Sequence, residues 1–203
     1  MGTFEVIDAG DARLGRCEDP AVALGHLERV VVEGGAARRH RDDVVAFVTA
    51  NADAAQRTNA EAHLTGSALV VDHTGRRTLL MLHRKLQRWF QPGGHADGDT
   101  NLPAVALREA REETGIDALQ VVVPGIDVDV HQVEPPAELA HLHLDVRYLV
   151  LAPPEAREVG NEESLALRWV TPDDLDALEP PIDPGTRRLV ERGLAVAAEV
   201  LGT

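Results

Sequence analysis

The sequence predicts a layered α/β domain with a mixed sheet, preceded by an N-terminal helical extension. Two observations carry this prediction: apolar segments of strand length follow one another after residue 62, and helical patterns occupy the middle and the end of the chain. The segments expected as strands are 68–71, 79–83, 119–123, 126–130, 142–151 and 166–170. Strands around one central helix and one long terminal helix, expected at 184–201, indicate that sheet and helices form layers.

Residues 1–60 lack the glycine and carboxylate clusters of the later chain and are rich in alanine. Asp19 is expected to cap a first helix that has Pro20 at its first position, and a second helix is expected at about 38–50. We interpret residues 1–60 as an extension packed on a domain formed by residues 61–203. A role in dimer contacts and a role in covering a substrate pocket are both open for it.

Composition and charge limit the classes of function. The chain has 203 residues, of which 44% are apolar, and a net charge of −14, which argues against a protein that binds duplex nucleic acid through its phosphates. A small phosphorylated substrate stays compatible, because a divalent cation on a carboxylate cluster reverses the local charge. No apolar run approaches the ~18 residues of a membrane span, and residues 1–8 show no secretory signal pattern, so we expect a cytoplasmic protein. The single cysteine, Cys17, is expected to be a structural or surface thiol.

The most informative segment runs from residue 93 to residue 116. It reads as a glycine-rich loop that leads into a short helix, and Gly115 stands where a helix ends in a left-handed residue. Glu109, Glu112 and Glu113 have the spacing i, i+3 and i+4, which places three carboxylates on one helix face. A solvated acidic surface is one interpretation. The other is a site at which a cation is bound by hard oxygen ligands.

The fixed spacing of this segment resembles the Nudix box, Gly-x5-Glu-x7-Arg-Glu-(apolar)-x-Glu-Glu-x-Gly-(apolar). Gly94 is the first glycine of the box, and residues 108–116 match its whole second half. One position departs, because Thr100 stands where the first glutamate of the family belongs. The resemblance covers roughly residues 62–180. It implies an α/β/α sandwich and a pyrophosphohydrolase that splits a diphosphate linked to another moiety.

The resemblance also implies roles for individual residues. Glu112 and Glu113 are expected to be the main ligands of Mg²⁺ or Mn²⁺, and Glu109 a further ligand. Arg108 is expected to orient a glutamate through a charge-assisted hydrogen bond. The metal would offset the charge of the diphosphate and activate the water that attacks phosphorus. Gly94 would let the loop backbone approach the helix closely.

The missing glutamate at Thr100 directs attention to other carboxylates. Asp97 and Asp99 are candidates for its replacement, and a role in stabilising the loop is equally compatible with them. In the antimutator nucleotide pyrophosphatase of the family, a loop outside the box supplies a base or metal ligand. The corresponding candidate here is Glu163, with Glu162 as its near equal.

Three histidines form a second group of candidates. His141 and His143 lie on one face of a predicted strand, and His95 follows the box glycines. They are expected either to converge on metal or substrate phosphate, or to be structural. The three glutamates favour a hard cation over a histidine-bound transition metal.

Two functions of different classes follow from these patterns. The first is metal-dependent hydrolysis of a small phosphorylated substrate, such as a nucleoside diphosphate derivative. The second is a non-catalytic, ligand-binding or regulatory Nudix domain, which the exchange of glutamate for Thr100 suggests. A homodimer is compatible with either function.

Overall fold

A computed structural model describes residues 4–134 and 139–203 of the chain. Residues 1–3 lie outside the described residues, so the prediction that residues 1–8 carry no secretory signal falls partly on residues that the structure does not describe. The strands are β1 (Glu5–Asp8), β2 (Ala62–Val71), β3 (Thr78–His83), β4 (Arg88–Phe90), β5 (Gly93–His95), β6 (Gln120–Val133), β7 (His141–Leu151) and β8 (Ser164–Val170). The helices are α1 (Pro20–Arg29), α2 (Gly34–Ala50), α3 (Leu102–Thr114) and α4 (Pro184–Leu201), with 3-10 helices at Ala12–Leu14 and Pro172–Ala177.

The described strands form one mixed sheet in the order β1-β6-β7-β2-β3-β4, with β5 paired to β2 and β8 paired to β3. The central pair, β2 and β7, is parallel, and the other pairs are antiparallel. β5 pairs with β2 at residues 65–67, and β3 pairs with it at residues 70–71. Two partners thus share one edge of β2, which brings the box glycines of β5 to the centre of the sheet.

Helices cover both faces of the sheet, which confirms the predicted α/β/α layers. On one face α1, α2 and α3 pack against alternate residues of the strands, and on the other face α4 does so. α3 packs closely on Gly66 of β2, where a Cβ atom would lie 2.9 Å from Cγ1 of Val105. Residues of β2 that precede and follow Gly66 therefore point away from α3, and this alternation decides on which face each polar side chain lies.

The N-terminal segment contains the two predicted helices and also a strand that the sequence pattern did not reveal. Asp19 caps α1 by accepting a hydrogen bond from the Ala21 N–H, with Pro20 at the first turn, as predicted. α2 begins at Gly34, one turn before the expected start. β1 pairs with residues 120–123 of β6 and so extends the same sheet. The extension is therefore partly β, and its helices share a hydrophobic core with α3.

Two local predictions are corrected by the sheet. The separate strands expected at 119–123 and 126–130 form the single strand β6, whose register with β7 shifts between Val122 and Asp127. Pro124 lies inside this shift, because proline cannot donate to the ladder. The segment expected as a glycine loop begins as strand β5, which the backbone of β2 holds in place. α4 has the predicted bounds.

No helix among residues 4–134 and 139–203 combines the length and the apolar character that crossing a membrane requires.

Candidate active site

The three glutamates of the box lie on α3 and differ in exposure. Glu112 is exposed, Glu109 is partly buried, and Glu113 is only 4% exposed. The helix ends at Gly115, whose φ of 67° is left-handed and whose N–H donates to the Arg111 carbonyl, as the sequence predicts. The carboxylates therefore form a row that begins at solvent and ends inside the protein. A purely solvated acidic surface does not describe such a row.

Glu113 is held by the backbone of β5. Its Oε2 accepts a hydrogen bond of 2.9 Å from the Gly93 N–H. Burial raises the pKa of the Glu113 carboxyl to about 8, the Gly93 hydrogen bond lowers it, and the nearby charges of Glu109 and Glu163 raise it further. Glu113 is thus a buried carboxylate that a positive charge at the site would stabilise.

Glu109 is fixed by its neighbour Arg108. The Arg108 Nη2 donates to Glu109 Oε1 at 2.8 Å and to the His95 carbonyl at 2.8 Å, so one guanidinium joins the helix to β5. Burial raises the pKa of Glu109, and the hydrogen bond and charge of Arg108 oppose that effect. A Cβ atom on Gly94 would lie 2.2 Å from Glu109 Oε2, so only glycine leaves room for this carboxylate.

Thr100, at the first-glutamate position of the box, makes a structural contact in this chain. Thr100 is 3% exposed, and both its N–H and its hydroxyl donate to the Cys17 carbonyl, at 2.7 and 3.0 Å. Asp99 accepts from the N–H groups of Cys17 and Asn101, so it stabilises this loop. These contacts attach the loop before α3 to the N-terminal segment.

Asp97 is the other candidate for the missing carboxylate. It is exposed and forms a two-bond ion pair with Arg57, in which both N···O distances are 2.6 Å. The hydrogen bond from Arg57 lowers the pKa of Asp97, and burial opposes that effect. Its carboxylate is therefore ionised and already paired with a cation of the N-terminal segment.

The loop before β8 lies at the C-terminal end of α3. The Asn161 side chain donates to the Glu112 carbonyl at 3.3 Å, and the Val159 N–H donates to the Thr114 carbonyl at 2.7 Å. Glu163 is an exposed residue of this loop, and its charge contributes to the raised pKa of Glu113. Arg84 fixes this loop, because its Nε donates to the Glu162 carbonyl at 2.9 Å.

The histidines converge on the sheet face opposite α3. The rings of His141 and His143 have centroids 5.4 Å apart, and the His95 ring lies 5.0 Å from that of His143. A fourth histidine, His63, lies 5.1 Å from His143 and is 1% exposed. Burial lowers the pKa of His143 to about 3, and the neighbouring imidazoles lower it further.

His63 belongs to the cluster but was missed in the sequence. A signal was available, because His63, Thr65 and Ser67 alternate with apolar residues, a period-2 polar pattern within a strand. The parallel neighbour β7 repeats it with histidine, aspartate and arginine at residues 143, 145 and 147. Asp145 accepts hydrogen bonds from Thr65 at 3.0 Å and Ser67 at 2.7 Å, so the two polar rows interlock.

Comparisons with known proteins identify the family and the fold of the chain. The family model described as NUDIX domain matches residues 62–193. The C. elegans Ap4A hydrolase structure, a binary complex, is 16% identical to this chain with a TM-score of 0.54, and the match covers 67% of this chain and 98% of that chain. The NUDIX domain of Shewanella oneidensis NrtR, complexed with ADP ribose, is 20% identical with a TM-score of 0.50, covering 68% and 89%. No curated protein sequence matches the chain.

These similarities to solved structures show the fold, and the family model covers well over half of the chain. The matched residues include the complete second half of the box and the helix that carries it. The chain therefore belongs to the Nudix family, which confirms the family membership predicted from the box.

Proposed function

We propose that this protein hydrolyses a diphosphate linked to another moiety, with Mg²⁺ or Mn²⁺ bound by Glu109, Glu112 and Glu113. The observation that carries the proposal is the row of carboxylates on α3, of which two are withdrawn from water and have raised pKa values. Buried carboxylates with raised pKa values are typical of sites where a ligand supplies the missing charge.

The residues present fit a hard divalent cation. The donors are carboxylate oxygens on adjacent turns of one helix, and Gly94 leaves open the space beside Glu109 that a side chain would fill. When bound, Mg²⁺ or Mn²⁺ would offset the charge of the diphosphate and activate the water that attacks phosphorus.

The residues around the carboxylates act by positioning them. Arg108 holds Glu109 and the His95 carbonyl together, and the Gly93 N–H holds Glu113, so the glutamates are oriented before substrate arrives. We assign the role of general base to Glu163, because its loop is hydrogen-bonded to the end of α3 and its charge contributes to the raised pKa of Glu113. Glu162 stays an alternative in the same loop.

The substrate class is proposed from chemistry and from two neighbours. One neighbour holds ADP ribose and another is an Ap4A hydrolase, so nucleoside diphosphate derivatives come first in a substrate panel. The net charge of −14 favours small substrates over duplex nucleic acid as partners. We further propose a cytoplasmic location. Size-exclusion chromatography with light scattering would decide whether the chain is a homodimer.

The hydrolase assignment has a direct test. Glu112→Gln and Glu113→Gln should each lower turnover by orders of magnitude with Mg²⁺ or Mn²⁺, while circular dichroism stays that of the unmodified protein. Glu199→Gln, an exposed glutamate of α4, is the matched control and should retain full turnover. Full activity in both box variants would contradict the proposed mechanism.

The second candidate function is ligand binding without hydrolysis, and Thr100 is the observation that favours it. Thr100 has no carboxylate and donates a hydrogen bond to the Cys17 carbonyl, so the family's first glutamate has no equivalent at this position. Tight binding of a nucleotide diphosphate, without metal-stimulated product release across the panel, would support this function. The intact second half of the box makes hydrolysis the function we favour.

We also propose that residues 1–60 are an extension of the domain formed by residues 61–203. Its contacts suggest that it stabilises the box loop, since Cys17 holds Thr100 and Arg57 holds Asp97. A truncated chain that begins at residue 61 should therefore lose stability as well as activity.

A further inference from the structure

The sheet register gathers histidines from four strands onto one face. His131 of β6 lies opposite His143 of β7, and His143 lies opposite His63 of β2. Residues that are directly paired point to the same face, so three imidazoles form a row across three adjacent strands. The ring centroids are 5.6 Å apart for the first pair and 5.1 Å apart for the second.

His95 completes the group from β5. Its strand pairs with β2 so that His95 lies opposite Thr65, two residues from His63 and on the same face. The His95 ring is 5.0 Å from the His63 ring and 5.0 Å from the His143 ring, and it meets His143 edge-on at 85°. His141 adjoins the group, with its ring 4.7 Å from that of His63.

We propose that His63, His95 and His143 form a binding site for a borderline divalent transition metal such as Zn²⁺ or Co²⁺, distinct from the carboxylates of α3. One nitrogen of each of these three residues lies within 4.8 Å of the other two. In a tetrahedral zinc site with Zn–N bonds of about 2.0–2.1 Å, the nitrogens are about 3.4 Å apart. Rotation of the half-buried rings of His95 and His143 closes this difference.

The chemistry of the donors separates this site from the glutamate site. Imidazole nitrogen suits Zn²⁺, Co²⁺ and Ni²⁺, whereas Mg²⁺ prefers oxygen donors. Three nitrogen ligands also leave a fourth position for a water or an anionic oxygen.

The surroundings of His63 match those of a metal ligand. His63 Nδ1 lies 3.2 Å from the Asn59 carbonyl, a contact that orients the ring, as the second nitrogen of a metal-bound histidine commonly does. His141 makes the same kind of contact, with Nδ1 at 2.8 Å from the Leu139 carbonyl.

His95 connects the two sites. Its ring faces the histidines, while its carbonyl accepts the Arg108 hydrogen bond that orients Glu109. A metal held by the His95 ring would therefore be connected to the box through a single residue, His95.

The test is a Co²⁺ titration of the full chain. Bound metal is first removed with EDTA, excess Mg²⁺ is then added, and Co²⁺ binding is followed by visible absorption and by calorimetry. We expect one equivalent of Co²⁺ with the absorption of a four- or five-coordinate ion, displaced by Zn²⁺. His95→Ala and His143→Gln should weaken binding more than tenfold, and Glu113→Gln should leave it unchanged. His95 and His143 are half-buried, so these variants avoid the core cavity that a change at buried His63 would create.

His73→Ala is the matched control, because His73 is an exposed histidine in the turn between β2 and β3. It should bind Co²⁺ like the unmodified protein. The proposal is overturned if Co²⁺ does not bind, if the folded His95 and His143 variants bind it equally well, or if Glu113→Gln abolishes binding. Phosphate binding that depends on these histidines in the absence of Co²⁺ binding would likewise overturn it, in favour of an anion pocket.

Discussion

Gly94→Ala should lower the turnover of the site while leaving the stability of the fold nearly unchanged. A Cβ at this position would lie 2.2 Å from Glu109 Oε2 and 2.6 Å from its Cδ, whereas ordinary van der Waals contact begins at 3.4 Å. The Glu109 carboxylate must therefore move by about 1 Å, which breaks its alignment with Arg108. A misplacement of about 1 Å in a catalytic constellation costs roughly 10²-fold in rate. We expect a loss of turnover of that size.

The stability of Gly94→Ala should change little. Gly94 does not have the positive φ that disfavours alanine, and the group displaced is the end of a flexible side chain. Alanine also reduces the conformational freedom of the unfolded chain, which contributes about 0.4–1 kcal/mol in favour of the folded state. The free energy of unfolding in urea should therefore stay within about 1 kcal/mol of that of the unmodified protein.

The assay is the initial rate of product release from the best substrate of the diphosphate panel, at saturating Mg²⁺, combined with urea unfolding. Gly66→Ala in β2 is the control that presses on the same helix, since its Cβ would lie 2.9 Å from Val105 Cγ1 and 3.1 Å from the Ala106 backbone nitrogen of α3. Here the helix itself must shift, so about 1–3 kcal/mol of stability should be lost. Full turnover of Gly94→Ala, or its unfolding, would refute the reasoning.

Two further predictions concern the cap of α4 and the loop before α3. Asp183→Ala removes the cap of α4, in which the carboxylate accepts from the Gly185 and Thr186 N–H groups, and should cost about 1 kcal/mol in urea unfolding. Burial raises the pKa of Asp183, but the hydrogen bonds from the Thr186 hydroxyl and from these two N–H groups outweigh it and hold the pKa below its ordinary 3.8. The stability lost in Asp183→Ala should therefore be largest near neutral pH and should shrink as pH falls through the folded-state pKa. Thr100→Glu restores the family's glutamate but should not raise turnover, because the buried side chain faces the Cys17 carbonyl. A buried charge at this position should lower the free energy of unfolding by about 2 kcal/mol or more. Higher turnover of this variant would contradict the reasoning.

The parts of the structure that the sequence predicted are those with local signals. α3 and its end at Gly115 follow from helical spacing and a glycine that can adopt positive φ. α4 begins at Pro184 after its cap and was predicted with the bounds that it has. These signals lie within one or two helical turns, so no knowledge of the tertiary fold is needed to read them.

The parts that were missed depend on pairing between distant segments. β1 is a strand because residues 120–123 of β6 offer it an edge, and its four residues carry no pattern of their own. His63 joins the histidine cluster because β2 and β7 pair in parallel with His63 opposite His143. Likewise, nothing in the sequence around Thr100 reveals that its partner is Cys17, 83 residues earlier. The contacts of β1 and His63 follow from the register of the assembled sheet, and the Thr100–Cys17 contact follows from the packing of two distant loops.

The pKa values of Asp72 and of the box glutamates shift in opposite directions. Burial raises the pKa of Asp72, but the Arg76 and Arg77 N–H groups and the Thr74 hydroxyl outweigh it and lower the pKa below its ordinary value. Glu109 and Glu113 shift in the opposite direction, because their hydrogen bonds offset burial and mutual repulsion only in part. A fold optimised for stability alone would have given these glutamates more donors or left them in water. The raised pKa values of these two glutamates support the proposed cation site and argue against a merely solvated acidic helix.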